Sequence, residues 1–118
     1  MSDSESDFHL LHLPERLINF RRFYMNNKVI VRADRAGVFF GEIKECNGNG
    51  VTLRNARRLW YWDGAASISQ LAMEGTTRPN ECKFTMPVTE ITVFGIIEII
   101  PCTDVAVASI GAVKEWKR

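Results

Sequence analysis

Apolar residues recur at every second position over much of the chain, the period of a strand with one buried face. In Lys28–Ala33 this spacing puts Val29 and Val31 on one face and Ile30 and Arg32 on the other. After a turn at Ala36-Gly37, the run Val38–Glu45 sets Phe40, Glu42 and Lys44 against Phe39, Gly41 and Ile43. Asn47-Gly48-Asn49-Gly50 is the clearest local signal in the chain. Asn-Gly pairs tolerate the positive φ that tight hairpin turns require, so strands are expected on both sides of it. Val51–Arg54 and Arg57–Trp62 continue the meander, and Cys82–Met86 and Val88–Ile100 read as further strands. Pro87 has no N–H to give a ladder, so it belongs at an edge or a break.

Helical spacing appears in three places. Pro14 opens a helix expected to run to about Met25, with Leu13, Leu17, Phe20 and Tyr24 on one stripe and Arg16, Arg21 and Arg22 opposite. Ala65–Glu74 carries Ile68, Leu71 and Ala72 on one stripe, with Ser67 as a cap and Gly75 as the stop. Thr103-Asp104 caps a last short helix through Ile110, ahead of a tail bearing Trp116. The expected fold is α+β: a twisted, mostly antiparallel β-sheet of five to seven strands, with two or three short helices packed on it. Residues 1–12 are expected to form an acidic, flexible leader, and 13–118 a single domain. A sheet of this size leaves edges to cover, which favours a homo-oligomer.

Composition narrows the class. With 118 residues, 46% hydrophobic and 25% charged, the chain has ordinary globular usage and room for one domain. A net charge of +1 disfavours general nucleic-acid binding. The charge is unevenly spread: Arg16 to Arg58 holds ten basic residues against Asp34, Glu42 and Glu45, an excess of 10 − 3 = +7. Leu59 to Val113 holds two basic residues against six acidic ones, 2 − 6 = −4. This split reads either as internal pairing in the folded domain or as an anion-facing surface. Cys46, Cys82 and Cys102 lie far apart with no C-x-x-C pair, which fits small buried thiols in a reducing compartment. The acidic start lacks the order of a signal peptide, and the longest apolar run, Val93 to Ile100, contains Glu98. A soluble, cytoplasmic protein without membrane contact is expected.

Chemistry is constrained by what is missing. His9 and His12 are the only histidines, and both lie in the leader. A Ser–His or Cys–His nucleophilic site would have to recruit that segment, and no carboxylate or cysteine stands at ligand spacing from them, so no catalytic residue, metal or cofactor is assigned. Asp63, Glu74 and Glu98 could converge as a general acid–base pair, but nothing in their spacing favours it. Cys82 beside Lys83 reads as buried rather than reactive.

The candidate site is Arg57-Arg58-Leu59-Trp60-Tyr61-Trp62. On a regular strand, Arg58, Trp60 and Trp62 share one face, and Arg57, Leu59 and Tyr61 the other. A guanidinium beside two indoles suits a planar anionic ligand, because indoles stack on a nucleobase and arginine forks onto phosphate. Gly64-Ala65-Ala66-Ser67 leads into a helix start, where small residues allow close approach to free N–H groups. The site residues are therefore Arg57, Arg58, Trp60, Tyr61, Trp62, Gly64 and Ser67. The competing reading makes Trp60 and Trp62 core anchors, with Arg58 stacked over one of them at the rim.

The run NARRLWYWDGAASISQL from Asn55, with EGTTRPNECKF (Glu74–Phe84) and IIEIIPCTDVA (Ile96–Ala106), resembles an uncharacterised family of small proteins from tailed bacteriophages and prophages. The resemblance covers about Val29 to Trp116. It carries no catalytic residue over; it implies a phage origin, residence in the bacterial cytoplasm and an accessory role toward host machinery or defence. The leading expectation is a non-enzymatic phage protein binding a nucleotide-like anion, in its sharpest form sequestering a host immune signalling nucleotide. The alternative is a protein-interaction module that inhibits a host protein, either an enzyme or a defence complex.

Overall fold

The computed structural model describes residues 26–118. The leader, the helix expected from Pro14, and His9 and His12 lie outside the described residues. The described elements are β1 (Lys28–Ala33), β2 (Gly37–Asn47), β3 (Gly50–Tyr61), α1 (Ile68–Glu74), β4 (Lys83–Phe84), β5 (Val88–Phe94), β6 (Ile96–Pro101) and α2 (Asp104–Gly111), with a 3-10 turn at Pro79–Glu81. This is the strand-rich α+β class expected from the alternation of apolar and polar residues.

Every pairing between these described strands is antiparallel. The order runs β6-β1-β2-β3, and two short strands share the far edge of β3. β5 lies along Gly50–Ala56 and β4 along Leu59–Tyr61. The β2–β3 turn pairs Asn47 with Gly50, and Gly48 at its first central position has φ 58°. Positive φ at that position alone is the pattern of a type II′ hairpin turn, which the Asn-Gly repeat supports.

The sheet is rolled. β5 and β6 stand at opposite ends of the strand order, yet Gly95 alone separates them in sequence. Gly95 has φ 77°, a conformation that costs glycine little, and it breaks the long strand expected over Val88–Ile100. Its carbonyl accepts from the Asp34 N–H at 2.8 Å, and the Ile96 N–H donates to the Asn49 carbonyl at 3.0 Å. The turn after β1 and the turn between β2 and β3 therefore meet at one corner. Bulges between β2 and β3 sharpen the local twist that this roll requires.

Rolling gives the sheet two buried faces. Inside lie Val29, Val31, Phe39, Ile43, Val51, Leu53, Ala56 and Val93. Outside, Ile30, Phe40, Leu59 and Phe84 pack against Leu71 and Ala72 of α1 and Ala106 and Ile110 of α2. β1 feeds both, with Val29 and Val31 inward and Ile30 outward, as its alternation predicts. α1 begins at Ile68 rather than Ala65. Ser67 is extended, and its hydroxyl accepts from the Gln70 N–H at 3.1 Å, while the Gln70 carboxamide oxygen accepts from the Ala66 N–H at 2.7 Å. This reciprocal cap fixes the helix start one turn later than periodicity suggests.

Candidate functional site

β3 is one strand, but its alternation slips twice. Had it run regularly, Arg57 would have followed Leu53 and Asn55 onto the inner face. Instead Phe40 pairs with Arg57 and Glu42 with Arg54, so β3 carries one extra residue there. Asn55 absorbs it with φ 51°, a left-handed conformation that asparagine tolerates better than most residues. Ala56 then takes the next inner position, Arg57 turns outward beneath the helices, and Arg58 reaches the mouth of the roll.

Arg57 is only 4% exposed and bonds to three backbone carbonyls. Its Nε donates to Thr85 O at 2.9 Å, Nη1 to Ile110 O at 2.9 Å and Nη2 to Phe84 O at 3.2 Å. The guanidinium carbon stands 5.6 Å from the centre of the Phe84 ring. Burial lowers its pKa below the ordinary arginine value, with the charge of Glu115 opposing in part. One side chain thus ties β3 to the stretch after β4 and to the C-terminal carbonyls of α2, where positive charge is favoured. Arg57 is part of the framework.

Arg58 is exposed. Its guanidinium carbon lies 4.7 Å from the centre of the Phe39 ring, and with Phe39, Ala56, Thr85, Val88 and Ile91 it lines a cavity of about 80 Å³. A second slip follows: Leu59 pairs with Phe84 but Tyr61 with Lys83, leaving Trp60 as the extra residue. Consequently Trp60 and Tyr61 are both exposed, at 63% and 50%. Trp62, past the strand end, packs against the helix-side core. The two faces expected from strict alternation are not preserved: Trp60 and Trp62 part company.

The Gly64–Ser67 turn is occupied by its own neighbours. The Gly64 N–H donates to Asp63 Oδ1 at 2.7 Å, and its carbonyl accepts from the Thr77 N–H and hydroxyl, each at 3.2 Å. Gly64 has φ 82°, and a Cβ there would stand 2.5 Å from the Arg78 nitrogen. Glycine is needed for the chain's own close approach. Ser67 and the Ala66 N–H are likewise engaged in the cap of α1, so these polar groups are already bonded within the chain.

What joins Trp60 comes from the C-terminal tail. Glu115 bridges Phe84 in parallel, and the Trp116 N–H donates to Phe84 O at 2.8 Å. This brings the Trp116 ring over Trp60, with centroids 6.1 Å apart and planes 17° from parallel. Lys83 Nζ lies 5.6 Å from the centre of the Trp116 ring. Beside it, Pro79, Asn80, Cys82, Lys114, Glu115 and Trp116 line a cavity of about 160 Å³. Sequence reasoning missed Trp116 and Lys83, because a tail folded back along a two-residue strand leaves no periodic trace. The resulting patch is aromatic, cationic and open.

The carboxylates considered for acid–base work each have a separate partner. Asp63 faces Arg78 at 3.5 Å, Glu74 accepts from Gln70 Nε2 at 3.1 Å, and Glu98 pairs with Arg32. Among the described residues no group of three or more His, Cys, Asp and Glu is placed to hold a metal ion. Burial pushes the Cys102 thiol up to about 12, with a backbone hydrogen bond from Ile30 opposing. No helix among the described residues is long and apolar enough to cross a membrane.

A family model described as a domain of unknown function (DUF6948) matches residues 26–110. No curated protein matches the chain.

Proposed function

We propose that this chain, which belongs to the DUF6948 family of domains of unknown function, is a non-enzymatic binding protein for an anionic ligand with a planar ring, of nucleotide type. One observation carries the reading. Trp60, 63% exposed, stands under Trp116 with Lys83 alongside, so a stacking surface and a cation share one open patch. Indoles stack on any base at about 1–3 kcal/mol each, and a lysine beside them serves a phosphate as a point charge. Small-molecule sites usually enclose about 300–1,000 Å³. The neighbouring cavity of about 160 Å³ therefore takes part of such a ligand and leaves the rest on the open face. Trp60 and Tyr61 remain from the sequence-derived site, and Trp116 and Lys83 join them, while Arg58 stands at the separate cavity beside Phe39.

The likeness of the Arg-Arg-Leu-Trp-Tyr-Trp run to small tailed-phage proteins supports a finer version: a phage accessory protein that sequesters a host signalling nucleotide in the bacterial cytoplasm. Calorimetric titration with a panel of mono-, di- and cyclic nucleotides tests both versions. Saturable heat with at least one nucleotide, weakened in Trp60→Ala, is the expected result; silence across the panel removes the reading.

A second reading has its own observation. Phe94 and Ile97 flank the Gly95 corner with 67% and 50% exposure, and apolar side chains so placed suit a protein partner. This supports a module that blocks a host enzyme or defence complex, or a homo-oligomer. A stoichiometric protein recovered on wild-type bait, but lost with Phe94→Asp, favours it; a co-purifying nucleotide favours the first.

A further inference from the structure

We propose that Trp116 is the second wall of an aromatic clamp, and that the ligand's planar ring enters between the indoles of Trp60 and Trp116. The inference rests on the ligand class proposed above and adds how the ring is held. The two planes lie within 17° of parallel, with ring centres 6.1 Å apart. A ring stacked on both sides needs about 3.5 Å to each neighbour, or about 7 Å between walls. Centres 6.1 Å apart set the upper limit on the spacing of the two planes, so the walls must part by at least about 1 Å to admit a third ring.

The tail supplies that movement. Val113 is buried and anchors it, whereas residues 114–118 are all exposed. Trp116 is tied to the sheet by its N–H bond to Phe84 O, and a segment with so few buried contacts opens at small cost. Trp60, by contrast, has its backbone held in β3 between the pairs that Leu59 and Tyr61 make with β4. One wall is fixed and the other hinged. Lys83 near the hinged ring and Lys114 in the adjoining cavity supply cations for the ligand's phosphate.

A clamp and a covering strap predict opposite signs. If Trp116 merely shields Trp60, its removal frees a stacking face and tightens binding. If it is a wall, its removal weakens binding as much as removal of Trp60. Wild type, Trp60→Ala, Trp116→Ala and Trp116→Phe, each checked for an unchanged melting curve, are titrated with the same nucleotide panel. The expected result is about tenfold or more weaker binding in both alanine variants and near-wild-type binding in Trp116→Phe. The near-ultraviolet exciton signal of the paired indoles should also collapse on saturation of the wild type. Binding in Trp116→Ala equal to or tighter than wild type overturns the clamp and leaves the ligand class standing. A wild type that binds none of the panel overturns both.

Discussion

Arg57 and Arg58 are neighbours in the chain and belong to different regions of the molecule. The first lies beneath the helices, with three hydrogen bonds to carbonyls from β4 onward and from α2. The second lies at the mouth of the roll, over Phe39 and open to solvent. Residue type does not distinguish them; a single bulged residue, Asn55, does. A buried guanidinium is tolerated only where the backbone supplies acceptors, and α2 and the stretch after β4 supply them to one position. The same device that builds the covered region delivers a cation to the open one.

Inserting one alanine between Ala56 and Arg57 is the strongest way to break this comparison. It would turn Arg57 into the inner core, Arg58 toward the helices and Leu59 away from them. A register slip moves every later side chain to the wrong face. Loss of a cooperative thermal transition is expected, read by circular dichroism. Arg57→Ala, which leaves the carbonyls of Phe84, Thr85 and Ile110 without this donor, should cost about 3 kcal/mol or more in urea denaturation. Arg57→Lys should recover little, because one ammonium cannot replace the fork.

A smaller effect reports on the covered side through pH. Cys102 has its thiol raised from 9.0 to about 12 by burial, so the folded state favours the neutral form. Its contribution is fully present below pH 9 and is lost as pH rises toward 12. By pH 10.5 the wild type should lose about 2 kcal/mol that Cys102→Ala does not lose. Asn55→Ala, which keeps the bulge but strains it, should cost about 1 kcal/mol, and Asn55→Gly should be close to neutral. Smallest of all, Arg58→Ala should change stability by less than about 1 kcal/mol, the scale of an exposed cation–ring contact. If Arg58→Ala proves as costly as Arg57→Ala, the division between framework and open surface is wrong.

The strands were legible because their alternation is local: β1 was read with its observed bounds, and the Asn-Gly turn placed β2 and β3 on either side. Ser67 and Gly75 were legible as the ends of α1 for the same reason. The site was legible only as far as Trp60 and Tyr61 are exposed, with Arg58 exposed at a separate cavity. Alternation alone could not reveal the slips at Asn55 and Trp60, since a bulge is selected by partner strands distant in sequence. Nor could it reveal that Trp116 returns to Trp60, a contact between residues 56 positions apart. Gly64 was read as a place where a ligand could come close, and the neighbours found against it are residues 76–78 of the same chain.

The corner at Gly95 also orders events in time. During synthesis, β1 to β3 leave the ribosome with Val51 and Leu53 facing water, and they stay uncovered until the segment that seals the roll has been made. Closure joins positions 34, 49 and 95, so its entropic cost falls late and on a long loop, the circumstance in which a nascent chain depends most on chaperones.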